Sequence, residues 1–226
     1  KDNPFPVACA LICEHPCEQR CRRNMLDSSV NIRGLKRSAV DCADMDAIPV
    51  PPKAEATGKR IAIIGGGPSG LTAAYYLQLM GHQTVVFEEK PALGGMLRYG
   101  IPNYRFPRKR LAQDLDYILK TGVEVRLNTQ VGRDISMADL QKEYDAVYIS
   151  IGAQTDKNFD IEGADSLNVI SAVNLLRDVG LEKRLDFTGQ KVAVIGGGNV
   201  AMDCARTAIR AHAEKVSVIY RRQEKD

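Results

Sequence analysis

Two glycine-rich stretches and one string of cysteines are the residues whose types and spacing could do chemistry in this chain. The first stretch is Gly65-Gly66-Gly67-Pro68-Ser69-Gly70, and the second is Gly196-Gly197-Gly198-Asn199-Val200-Ala201. A Gly-x-Gly-x-x-Gly run between a strand and a helix can cradle a pyrophosphate. Its first glycine makes the tight turn, its second lets the phosphates reach the backbone, and its third lets helix and strand pack closely. The helix N-terminus adds N–H donors and the positive end of its dipole. Ala201 in the third place is an accepted variant.

The strand ends downstream of the two stretches distinguish two ligands. Glu88 ends the strand after the first loop, where a carboxylate can accept hydrogen bonds from a ribose 2′-hydroxyl. The corresponding place after the second loop holds Tyr220-Arg221-Arg222, with no acid nearby. Two guanidiniums suit a 2′-phosphate that a carboxylate would repel, which favours NADP(H) over NAD(H). The plainer alternative is a solvated basic strand end.

Cys9, Cys13, Cys17 and Cys21 are spaced four apart. On a helix that spacing lines one face, and on a looped chain it allows convergence on one metal centre. Glu14, Glu18, Gln19, Arg20 and Arg22 make the segment too polar for simple buried thiols, and His15 keeps zinc open beside iron–sulfur. A cysteine cluster of this kind fits a reducing compartment, with the cytoplasm as the expected location. Cys42 and Cys204 stand alone in apolar helical patterns and read as small core residues. No Cys-x-x-Cys pair lies where a flavin disulfide reductase would need one.

The elements that must position these residues alternate along the chain. Apolar strands are expected at 60–64, 84–88, 123–127, 191–195 and 215–220, with a further buried strand at 145–151. Helices are expected at 68–80, from Pro107 through Leu119, and at 199–211. Such alternation is the pattern of a parallel sheet covered on both faces, here α/β with two Rossmann-like dinucleotide-binding units, the second incomplete. In front lie a small helical module at 1–45, which carries the cysteines, and an extended Pro-rich linker at 46–58. The first dinucleotide-binding domain is placed at 59–155 and the second, partial one at 156–226.

The chain has 226 residues and a net charge of +3, too small to argue for nucleic acid or an anionic membrane. No apolar run approaches the roughly 18 residues needed to span a bilayer. Lys1 rather than Met opens it, and strands are expected beyond Tyr220, so both ends read as cut.

In order along the chain come Asn3-Pro-Phe-Pro6, the cysteine string, residues 30–37 (Val-Asn-Ile-Arg-Gly-Leu-Lys-Arg), the first glycine loop, residues 94–102 (Gly-Gly-Met-Leu-Arg-Tyr-Gly-Ile-Pro) and Tyr220-Arg221-Arg222. Together these resemble the small subunit of bacterial NADPH-dependent glutamate synthase and its relatives. The relatives include the N-terminal half of dihydropyrimidine dehydrogenase and the large subunit of a bifurcating ferredoxin:NADP oxidoreductase. The resemblance implies that NADPH gives hydride to FAD and that FAD passes electrons to [4Fe-4S] clusters, in partnership with a larger redox subunit or flanking domains. It implies that Gly65, Gly67, Pro68, Ser69, Gly70, Glu88, Gly95, Met96, Arg105 and Val131 line the FAD. Gly196, Gly198, Asn199, Val200, Arg221 and Arg222 would line the NADP, although the commonest version of this loop has Asp-Thr where this chain has Asn199-Val200.

In the family pattern the matches to Cys13, Cys17 and Cys21 are cluster ligands, the match to Cys9 is not, and others come from an upstream stretch. Lys36 stands where a further ligand, Gln or Glu, is expected, and an ammonium cannot ligate iron. Spacing alone would instead make all four cysteines one site. A function of another class remains beside the enzyme: a non-catalytic electron-relay or docking module of a larger redox complex.

Overall fold

The computed structural model describes residues 2–156 and 162–222. They form two compact units, Lys1–Arg98 with Tyr104–Gly152, and Tyr99–Asn103 with Ala153–Asp226.

The first unit is built on a parallel sheet in the order β3-β2-β1-β4, from β1 (Arg60–Ile64), β2 (Gln83–Phe87), β3 (Glu124–Arg126) and β4 (Ala146–Ile149). Arg60 pairs with Gln83 and Ile64 with Phe87, so β1 and β2 end level with each other just where the first glycine loop begins. Alternation sends Ala62, Ile64, Val85 and Phe87 to one face, where they pack with Leu140 and Tyr144. Leu140 belongs to α7 (Met137–Glu143), and Tyr144 follows it. The other face meets α4 (Pro68–Leu79), which buries Leu71, Ala74 and Tyr75 and in turn packs on α6 (Arg108–Leu119). The short α5 (Met96–Tyr99) precedes α6 in the chain.

The cysteine segment belongs to the same unit. It comprises α1 (Pro6–Ile12), α2 (Pro16–Gln19), a 3-10 turn (Arg22–Met25) and α3 (Ile32–Cys42). Phe5, Val7, Ala8 and Ala10 are buried where α1 meets α3 and α6. Residues 46–48 complete a turn in which Ala47 N–H donates to Asp44 O (3.2 Å), and 49–58 have no regular structure but do not hang free. Ala54 N–H donates to Leu79 O (2.8 Å) and Thr57 N–H to Gly81 O (3.0 Å). Gly81 closes α4 with φ +85°, and a Cβ there would lie 2.0 Å from Glu55 O. The chain therefore crosses the end of α4 too closely for any other residue.

The second unit contains α8 (Ala172–Gly180), β5 (Lys191–Ile195), α9 (Asn199–Arg210) and β6 (Lys215–Ile219). β5 and β6 are parallel, pairing Lys191 with Lys215 through Ile195 with Ile219. α9 buries Ala201, Cys204, Ala205 and Ala208 against neighbours that include both strands and α8.

Three expectations need correction. The strand at 145–151 is not buried: Ala146, Tyr148 and Ile149 are exposed, because among the described residues β4 is a sheet edge paired with β1 alone. The second sheet is not covered on both faces either, since Ile195 and Ile219 are 57% and 55% exposed among the described residues. Cys42 is no core residue: it ends α3 on the exposed side, whereas Cys204 is buried. Burial pushes the Cys204 thiol up to about 11, and the nearby Asp203 and Asp156 add to the shift.

Candidate functional site

The first glycine loop is held from three sides. Gly65 N–H donates to Phe87 O (2.8 Å), and Gly66 N–H donates to Oε2 of Glu88 (2.7 Å). Oε1 of Glu88 takes the N–H of Lys90 (2.8 Å), so this buried carboxylate is pinned at the lip of the loop. From the end of β4, Ser150 Oγ reaches Ile64 O (2.9 Å) and Gly65 O (3.2 Å). A Cβ on Gly70 would meet Gly65 O at 2.1 Å and Ser150 Oγ at 2.6 Å, which is the physical reason for glycine in the third place.

The second place is different in kind. A Cβ on Gly67 would meet only Gly95 Cα, at an ordinary 3.7 Å, so the fold itself tolerates a methyl group there. Gly94 N–H donates to Gly66 O (2.9 Å), laying the Gly94-Gly95 turn across the loop, and Gly95 approaches Gly67 too closely for a side chain. Gly67 is also the N-cap of α4, with Pro68 next and no side chain capping the helix. The first N–H groups of α4 thus have no partner in a preceding turn. A narrow cradle of backbone donors beside a fixed carboxylate is what a dinucleotide pyrophosphate and ribose require, so these residues fit FAD.

The remaining candidates of this group are placed around the cradle. Ser69 is exposed, with its Oγ 3.0 Å from Tyr148 Oη. Met96 is exposed at the start of α5. Val131 is half-buried against the sheet core, two residues past Thr129, whose N–H donates to Glu88 O. Arg105 is half-buried in the segment that leads into α6.

The second loop repeats the geometry with one relaxation. Gly196 has φ +127° and donates its N–H to Ile219 O (2.9 Å). The Cβ of Ala201 lies 3.5 Å from where a Cβ on Gly196 would be, so a methyl group fits where Gly70 admits none. Gly198 is the N-cap of α9, no side chain caps that helix, and a Cβ on Gly198 would meet nothing within 4 Å. Asn199 and Val200 are exposed on the first turn. Arg221 and Arg222 are exposed just past β6. The open helix end and the two guanidiniums fit NADP. Sequence reasoning missed the Tyr220 ring, which stands where a Cβ on Gly197 would be, at 2.6 Å.

The cysteines are not drawn together. Cys9 lies within α1, Cys13 ends it, Cys17 is exposed on α2, and Cys21 caps the 3-10 turn. Among the described residues no group of three His, Cys, Asp or Glu side chains is placed to hold a metal ion. Backbone N–H groups of Val30 and Arg23 hold the half-buried Cys21 thiol below its ordinary pKa. A cavity of about 280 Å³ lies beside the segment, lined by Ala10, His15, Glu18, Arg33 and Arg37 among others.

Among the described residues no helix is long and apolar enough to cross a membrane. Residues 59–225 match the family model of pyridine nucleotide-disulphide oxidoreductases. The chain is 42% identical, over all of its length, to the NADPH-Fe(3+) oxidoreductase subunit beta of Geobacter sulfurreducens, covering 34% of that protein. It is 34% identical over 99% of its length to the glutamate synthase [NADPH] small chain of Escherichia coli, covering 50%. It thus spans a third to a half of the curated relatives named here. FprA from Mycobacterium tuberculosis in complex with NADPH superposes with a TM-score of 0.58 at 28% identity, covering 66% of this chain and 36% of that one. The chain belongs to the pyridine nucleotide-disulphide oxidoreductase family, as an α/β protein related to glutamate synthase small chains.

Proposed function

We propose that this chain binds FAD at the first glycine loop and NADP(H) at the second, and serves a cytoplasmic oxidoreductase that carries electrons from NADPH through FAD towards iron–sulfur centres. The observation that carries the reading is the pair of uncapped helix N-termini, each behind a glycine loop whose second glycine faces open space or a bare Cα. When bound, FAD supplies the chemistry: it takes a hydride and can release electrons singly.

The chain's own residues bind and orient. Glu88 would receive the ribose hydroxyls, and the donors of α4 and the Gly94-Gly95 turn would enclose the pyrophosphate. Arg221 and Arg222 select the 2′-phosphate. No side-chain acid or base is required for hydride transfer, and the six described cysteines are all free. The iron–sulfur part of the proposal rests on the resemblance alone.

The test is an anaerobic NADPH titration of the full-length protein, followed by the visible absorbance of the flavin. Stoichiometric flavin bleached by NADPH faster than by NADH is expected. Flavin that NADPH leaves oxidised would favour the relay or docking module instead, and absence of flavin would remove the assignment of the first loop.

A further inference from the structure

The first turn of α1 is satisfied by a residue more than a hundred positions away. Pro6 has no N–H, and Cys9 N–H donates to Phe5 O (3.0 Å). That leaves the N–H groups of Val7 and Ala8. They donate to Oδ1 and Oδ2 of Asp114, at 3.0 and 2.8 Å. Asp114 is fully buried on α6, and each carboxylate oxygen serves one donor. It stands in for the N-cap that Phe5 cannot provide, and its charge sits at the positive end of the helix.

The first residue of α6 grips the segment that follows the Gly94-Gly95 turn. Arg108 donates through Nη1 to Leu97 O (3.3 Å) and through Nη2 to Arg98 O, just past the Gly94-Gly95 turn. Leu111 Cδ2 lies 3.0 Å from where a Cβ on Gly94 would be. Arg108 and Asp114 are separated by roughly 9 Å of helix rise. A second tie runs from Arg110 to Asp41 (2.5 Å), which Arg37 also pairs from α3.

We infer that α6 is a rigid spacer between the Gly94-Gly95 turn and the cysteine segment, with Asp114 the positioning residue that fixes α1 to it. The anchoring stands on its own geometry; its meaning for electron transfer rests on the proposed function. Asp114→Asn keeps the shape but turns an amide group towards one of the two donors, and Asp114→Ala leaves both without an acceptor.

In the full-length protein, amide exchange of residues 7–12 and alkylation of Cys9 should quicken about tenfold in both variants. Exchange in α4, flavin content and the rate of bleaching by NADPH should stay at wild-type values. Unchanged exchange at residues 7–12 in both variants would overturn the anchor. Loss of flavin with equal deprotection of α4 would show a general folding role and overturn it as well. A wild type that NADPH fails to bleach would sink the proposed function while leaving the exchange result to be read.

Discussion

A methyl group tells the two kinds of glycine apart. At Gly67 and Gly198 the protein leaves room for a Cβ, so Gly67→Ala and Gly198→Ala should fold with melting temperatures close to wild type. A dinucleotide bound as proposed would not leave room, because its pyrophosphate would have to approach the backbone there. Gly67→Ala should therefore lose flavin, and Gly198→Ala should weaken NADPH binding at least tenfold with flavin retained. Calorimetry beside flavin absorbance and NADPH titration would show it; wild-type affinities in both variants would mean that neither loop holds a pyrophosphate. Gly70→Ala differs from both, since its Cβ would collide with Gly65 O whatever is bound. At the basic end, neutralising Arg221 and Arg222 together should raise KM for NADPH far more than for NADH. Each charged hydrogen bond to a phosphate is worth roughly 1.5–3 kcal/mol. Equal losses for the two nucleotides would count against selection of the 2′-phosphate.

Elements were legible wherever local pattern decides them. β1, α4, β2, β5, α9 and β6 fall within a residue or two of where glycine, proline and apolar periodicity place them. Exposure of β4 was not legible, since a short apolar run reads as buried until the sheet order shows it to be an edge. Nor was Ser150, an ordinary strand-end serine whose importance depends on which turn lies beside it. α7 and α8 were missed too, although Ser136 and Ser171 cap them and could have marked their starts. The cap of α1 could not be read locally, because its donor and acceptor meet only in the fold. That contact makes a pH prediction. Burial pushes Asp114 up to about 6, against the pull of two N–H groups and Arg110; unfolded, it titrates near about 3.9. Between those values the folded chain holds the extra proton, so the contribution of Asp114 to stability falls as pH rises through the window and is level above it. Wild type should lose stability relative to Asp114→Asn between about pH 4 and about pH 6, by up to roughly 3 kcal/mol. A difference that stays constant across that range would contradict the assignment.

At the scale of the whole molecule, the division into two compact units predicts two unfolding transitions. Among the described residues the second unit's sheet has two strands, so the lower transition of this chain is assigned to it. Calorimetry should resolve two transitions, with added FAD raising the one that belongs to the first unit and added NADP raising the other. A ligand in hundredfold excess over its Kd contributes about 2.7 kcal/mol. A single transition moved equally by both ligands would show that the units do not melt independently.

The Pro-rich run at 46–58 has the composition of a tether, and a tether of that length would let one copy's cysteine helices settle on a neighbour. Its bonds to Leu79 and Gly81, and the passage of Glu55 across Gly81, remove that freedom. Domain exchange needs a hinge that can open without disturbing what it joins, and here opening the hinge strips the end of α4. Isotopically labelled and unlabelled copies mixed at high concentration should therefore stay pure, each keeping its own amino-terminal segment.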